Sequence, residues 1–165
     1  MKEKNSQKGF TIVEVSLVLA IAGLIFLMVF IALPALQRSQ RDAKRRDDVG
    51  ELLTAIQKYQ NNNRGALPEN SAAPAEFKKY LRSSFEDPLG HEYMLTMQDC
   101  GVTGTGKCEI NGTIQSANFP NGHKMYIVRS AACEGSEVIG SGNPRKVAVL
   151  YKMEGGGGTY CASMQ

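Results

Sequence analysis

The chain has little of what catalysis and metal binding require. His91 and His123 are its only histidines, and neither stands at ligand spacing from another histidine or from a cysteine, nor is there a Cys-x-x-Cys pair, so neither zinc nor another metal is expected. No nucleophile motif and no recognisable pair of carboxylates offers acid–base or covalent chemistry. Gly101-Val102-Thr103-Gly104-Thr105-Gly106-Lys107 fills all but the last position of a phosphate-binding loop. The mechanism needs a Mg²⁺-binding hydroxyl after the lysine and a helix N-terminus aimed at the phosphates. Cys108 takes the hydroxyl position, and Glu109-Ile110-Asn111-Gly112-Thr113 breaks any helix at once. The residues therefore point to no catalytic group, no cofactor and a protein that is not an enzyme. Asn111-Gly112-Thr113 also matches a glycosylation acceptor, a pattern so short that it is read as a turn.

Long-range charge is lacking too. Of the net +3, residues 1–9 contribute +2 and residues 10–63 contribute +1, while ten basic and ten acidic residues cancel from Arg64 onward. Nucleic acid normally leaves a clustered basic footprint on the domain that binds it, and none is indicated here. The only dense basic cluster is Arg38, Arg41, Lys44, Arg45 and Arg46, interleaved with Asp42, Asp47 and Asp48. It reads as a solvated helix face or a contact with lipid headgroups. Counted by the positive-inside rule, it opposes the orientation that a cytoplasmic N-terminus requires.

The most telling absence is of charge between Val15 and Leu36, 22 residues in succession. At about 1.5 Å of rise per residue they can cross a bilayer core of roughly 30 Å. Glu14 stands at the edge of this run. A charged side chain at mid-helix costs about 2.5 to 3.5 kcal/mol on insertion scales, so a carboxylate here needs a partner or a task. A cut between Gly9 and Phe10 would give Phe10 a free ammonium one helical turn before Glu14. At about 4 Å and an effective dielectric of 20, such a pair attracts by roughly 4 kcal/mol. A cleaved secretory signal fits less well: its apolar region spans about 7 to 15 residues and ends in a small-x-small site, and Ala20-Ile21-Ala22 lies in mid-run.

The basic leader ending in Lys8-Gly9, then Phe10-Thr11-Ile12-Val13-Glu14 and the apolar run, resembles the class III signal of type IV pilins and pseudopilins. The resemblance implies cleavage between Gly9 and Phe10 by a prepilin peptidase, N-methylation of Phe10, and recruitment of subunits through Glu14. The implied product is a homo-oligomeric helical filament, built by a platform protein and an ATPase and used for adhesion, twitching motility or DNA uptake. The precursor would sit in the inner membrane as a single-pass protein and the mature subunit at the cell surface. A pseudopilin of a secretion or competence system is the alternative. A membrane-anchored binding domain is the reading from another class.

A pilin-like α+β fold is expected: a leader at 1–9, a transmembrane and filament-core helix at 10–36, its amphipathic continuation at 37–63, and a head with a small antiparallel sheet at 64–165. Val49, Leu52, Leu53, Ile56 and Tyr59 recur at helical spacing and seek a core. Asp42 with Arg46, and Lys44 with Asp48, stand four apart on the opposite face. The whole helix would run about 80 Å, half bare and half covered by the head. Pro34 removes a backbone hydrogen bond and predicts a kink or local melting over Ala32 to Pro34, a region that can unwind in related filaments. Asn61 to Gly65 should end the helix.

A second short helix is expected from Pro74, with Phe77, Tyr80, Leu81 and Phe85 turned inward. Asp87-Pro88-Leu89-Gly90 has type I turn preferences, and it resembles the Asp-Pro-aromatic-Gly turn of many pseudopilins with Leu89 in place of the aromatic residue. Strands are expected at Glu92 to Met97, Lys124 to Ser130 and Lys146 to Tyr151, paired as an antiparallel meander, with a last strand at Thr159 to Ala162 after the turn Gly155 to Gly158. Cys100, Cys108, Cys133 and Cys161 all fall outside the membrane span. Four cysteines allow three connectivities; Cys100–Cys108 and Cys133–Cys161 are the expected bonds, worth roughly 2.5 and 3.5 kcal/mol by loop entropy.

Overall fold

The structure, a computed structural model, describes residues 9–68, 75–101, 106–108, 123–155 and 158–164. The leader before Gly9, Pro74, Val102 to Thr105, the Asn111-Gly112-Thr113 sequon and two glycines of the Gly155 to Gly158 turn lie outside the described residues. The chain divides into two compact units, Met1–Gln37 and Arg38–Gln165.

Helix α1 runs Ile12–Asn62. In the first unit its large apolar side chains, from Ile12 to Leu36, are all exposed. The helix is unbroken across Ala32 to Pro34, so the melting expected there is not a property of the single chain. At the other end the Gly65 N–H donates to the Gln60 carbonyl (2.7 Å) and the Asn63 N–H to that of Tyr59 (2.9 Å), with Arg64 (φ 55°) and Gly65 (φ 84°) both left-handed. This is a Schellman-type stop. The left-handed turn begins one residue earlier than the glycine suggested.

In the second unit α1 buries Val49, Leu52, Ala55 and Ile56. They form a core with Leu95, Met97, Met125, Ile127, Val147, Val149 and Tyr151, against which Leu53 and Tyr59 pack partly buried. Helix α2 is a single turn, Ala75–Lys78, shorter than expected. Its Phe77 and the following Phe85 are nevertheless buried, with Tyr80 and Leu81 packed alongside.

Six strands follow: β1 (Met94–Asp99), β2 (Lys124–Arg129), β3 (Ala131–Glu134), β4 (Glu137–Gly140), β5 (Val147–Lys152) and β6 (Thr159–Ser163). The main sheet has the order β1-β2-β5-β6, and β3 and β4 form a separate hairpin. Strands β2/β5 and β5/β6 are antiparallel, but β1 and β2 are parallel, with Leu95 opposite Met125. This corrects the expected meander. Residues 100–123 supply the dozen or more residues that a parallel crossover needs.

The hairpin β3–β4 was not expected. It explains why β2 and β5 are apolar almost throughout: one face of the sheet meets α1, while Tyr126, Val128, Ala148 and Leu150 on the other meet Ala131, Val138, Cys100 and Cys108. A strand buried on both faces loses the polar half of its alternation. Cys100 bonds Cys108 (Cα–Cα 4.7 Å), and Cys133 of β3 bonds Cys161 of β6 (5.7 Å). Beyond the first disulfide the Cys108 N–H donates to the Val138 carbonyl (3.0 Å) and the Gly140 N–H to that of Gly106 (2.7 Å), which ties the disulfide loop to β4.

Candidate processing and assembly site

Gly9 and Phe10 lie in non-helical backbone just before α1, both exposed, with Phe10 at 90%. A peptidase needs such accessible, non-helical backbone, and the Gly9–Phe10 bond has it. One residue on, the chain is tied down. The Thr11 N–H and hydroxyl both donate to Glu14 Oε2 (2.9 and 2.8 Å), and the Glu14 N–H donates back to Thr11 Oγ1 (3.3 Å). The first helical bond follows, from the Val15 N–H to the Thr11 carbonyl (3.3 Å).

This is a capping box. It satisfies helix N-terminal donors that have no intrahelical partner. Glu14 is therefore not the bare carboxylate that composition implied: Oε2 is engaged within its own chain, while Oε1 accepts no bond among the described residues. The spacing Thr-x-x-Glu before an apolar run announces this box in the sequence.

A family model described as the prokaryotic N-terminal methylation motif matches residues 4–30, spanning the Gly9–Phe10 bond, the cap and much of the apolar run. The chain carries the class III prepilin signal. That signal is the one found on type IV pilin-like and pseudopilin-like precursors, and it implies a prepilin peptidase and an assembly machinery in general. Joined to an apolar helix long enough to cross a membrane, it gives the precursor its anchor. No curated protein and no solved structure matches the chain.

A second cluster, in the unit Arg38–Gln165, went unseen in the sequence. The charged run after Leu36 is a solvated face only in part: Arg38, Lys44, Arg46 and Asp47 are exposed, but Asp42, Arg45 and Asp48 are buried. The fully buried Arg45 donates from Nε to Asp87 Oδ1 (2.6 Å), from Nη2 to Asp87 Oδ2 (3.2 Å) and to Glu154, and from Nη1 to Asp42 Oδ1 (3.3 Å). Asp42 accepts in turn from the Glu154 and Gly155 N–H groups (3.0 and 2.7 Å). Asp48 takes the Tyr93 hydroxyl (2.7 Å) and the Arg82 guanidinium. The expected pairs Asp42 with Arg46 and Lys44 with Asp48 give way to these contacts, because both aspartates face inward.

The electrostatics follow. Burial pulls the Arg45 pKa down, but the hydrogen bonds and charges of Asp87 and Glu154 more than reverse this and hold it above its ordinary value. Burial, then the Asp48 carboxylate, push the Tyr93 phenol well up. Tyr151 is pushed up to about 12 by burial and the Asp42 charge. Burial alone would raise Glu154, yet its bonds to Arg41 and Arg45 keep it below the usual carboxylate range. Such a set fixes two turns, 87–90 and that after Lys152, to the helix. It brings no nucleophile and base together, and among the described residues no group of three or more His, Cys, Asp or Glu side chains is placed to hold a metal ion.

Proposed function

We propose that the chain is the structural subunit of a type IV pilus, cut between Gly9 and Phe10, N-methylated at Phe10 and packed helix against helix into a surface filament. The observation that carries this reading is the methylation motif at residues 4–30 running without interruption into an exposed apolar helix. After cleavage the Phe10 ammonium of one copy meets the open oxygen of Glu14 in a neighbour. That pairing sets the register of the stack, and the apolar helices supply cohesion. The role is structural rather than enzymatic, and adhesion, twitching motility or DNA uptake are the uses such a filament serves.

The turn Asp87-Pro88-Leu89-Gly90 favours a second reading, a pseudopilin forming a short secretion piston. The Gly90 N–H donates to the Asp87 carbonyl (2.7 Å), and the Asp87 side chain is locked onto Arg45. Mass spectrometry of the mature N-terminus is the test. A methylated Phe10 is expected, and an N-terminus still bearing the leader would refute processing. Sheared surface material containing this chain separates the pilus from the piston.

A further inference from the structure

A cleft of about 560 Å³ opens in the unit Arg38–Gln165, where α1 ends, β1 and β2 finish and β5 is about to begin. Among the described residues three arginines line it, Arg64, Arg129 and Arg145, against one carboxylate, Asp99. Arg129 and Asp99 hold each other: Nη2 donates to Oδ2 at 2.8 Å, while Nε lies 2.8 Å from Oδ1 without the alignment of a hydrogen bond. One buried N–H is thereby left without an aligned acceptor. Arg64 and Arg145 make no ion pair with any described residue.

Arg64 and Arg145 both sit on fixed backbone. Arg64 occupies the left-handed position of the helix stop, held by the Gly65-to-Gln60 bond. Arg145 donates its N–H to Asn143 Oδ1 (2.9 Å) and accepts at its carbonyl from Gln60 Nε2 (2.8 Å). Its guanidinium lies on the Gly65 backbone so closely that a Cβ there would come within 3.0 Å of Nε. This close approach is what glycine permits at that position. A planar guanidinium held in place loses less freedom when it binds, and its paired donors match the oxygens of a carboxylate or phosphate.

We infer that this cleft is an oxyanion-binding site, with Arg64 and Arg145 as the recognising residues and the Arg129–Asp99 pair as its wall. Some of the positive charge also faces the last carbonyls of α1, which favour cations. That contribution accounts for one arginine near the helix end but not for three around one cleft. Asp99 sets the ligand's charge: it repels a densely charged anion and tolerates a single oxyanion group placed between the Arg64 and Arg145 guanidiniums. The chemistry is shared by a carboxylate and a phosphate, and the experiment tells them apart.

The full chain in detergent micelles, with arginine side-chain N–H signals followed by NMR, would be titrated with inorganic phosphate and separately with acetate, chloride holding ionic strength constant. Saturable shifts at Arg64 and Arg145 are expected for at least one probe, and the tighter probe identifies the ligand group. Arg64→Gln or Arg145→Gln, both at exposed positions, should each weaken that binding about tenfold, the loss of one charge-assisted bond. Arg38→Gln should leave it unchanged. Linear shifts with both probes, or equal losses in Arg38→Gln, would overturn the assignment.

Discussion

The Glu14 carboxylate is shared between the Thr11 cap, held on Oε2, and, in the proposed filament, the Phe10 ammonium of a neighbour on the open Oε1. A cap of this kind is worth about 1 kcal/mol, whereas an ammonium at about 4 Å and an effective dielectric of 20 attracts a carboxylate by roughly 4 kcal/mol. On that proposal the ion pair is the larger contribution after cleavage, and the cap serves the helix before it. Three substitutions separate the two roles. Glu14→Gln keeps an acceptor for Thr11 but loses the charge, Glu14→Ala loses both, and Thr11→Val loses the hydroxyl alone. All three should insert in the membrane normally. Sheared-fibre yield should collapse in both Glu14 variants and fall much less in Thr11→Val; a Glu14→Gln chain that assembles like wild type would mean that the cap, not the charge, is what the filament needs.

Around Arg45 one helix and two turns become a single element, and removing its centre is costly in a way that removing a surface ion pair is not. Arg45→Ala would strand Asp42 and Asp87, both buried, and breaking a buried pair typically costs about 3 to 5 kcal/mol. Denaturant unfolding of the full chain in micelles, followed by tyrosine fluorescence since tryptophan is absent, should register that loss. Arg45→Ala with Asp87→Ala should lose less than the two single losses added. A cost under about 1 kcal/mol for Arg45→Ala would show the cluster to be surface-like. The helix and its apolar stripe are legible because 3.6-residue periodicity reports apolar burial, and its stop because Gly65 follows Asn61 to Asn63, whereas the Thr11–Glu14 cap is hidden when Glu14 is weighed by charge alone. The same stripe continues backwards through Asp48, Arg45 and Asp42, spaced three apart, but hydropathy reads these as solvent-facing, and only the fold gives them partners: the turns at Asp87 and Glu154 for Arg45 and Asp42, and Tyr93 and Arg82 for Asp48. Residues 131–140 contained a usable signal, Gly135-Ser136 between two short runs. That signal is weak, because Ala131-Ala132-Cys133-Glu134 lacks the β-branched residues that mark a strand. The parallel pairing of β1 and β2 was hidden differently: strand patterns carry no direction, and only the length of the connection argues for a crossover.

Taken whole, the chain holds far more exposed apolar surface in Met1–Gln37 than a free protein sustains. Each large apolar side chain gains about 1.5 to 3 kcal/mol on burial, so the exposed series from Ile12 to Leu36 outweighs the 5 to 15 kcal/mol that usually stabilises a domain. Lipid would cover it in a membrane-anchored precursor, and neighbouring copies would cover it in the proposed filament. On that proposal Pro34 acts at the exchange between these states. Lacking an N–H, it leaves the Phe30 carbonyl without its helical donor, a defect tolerated in one unbroken helix here but one that lowers the cost of opening the turn when side chains of adjacent copies interlock. Hydrogen exchange across Ala32 to Leu36 should accordingly be faster in assembled fibres than in the micelle-bound precursor. Pro34→Ala restores the missing bond, favours the helix by about 3 kcal/mol, and should slow exchange in the fibre while reducing fibre yield. Equal protection of this segment in both states, with undiminished fibres from Pro34→Ala, would show that the helix packs unaltered and that the proline has no part in assembly.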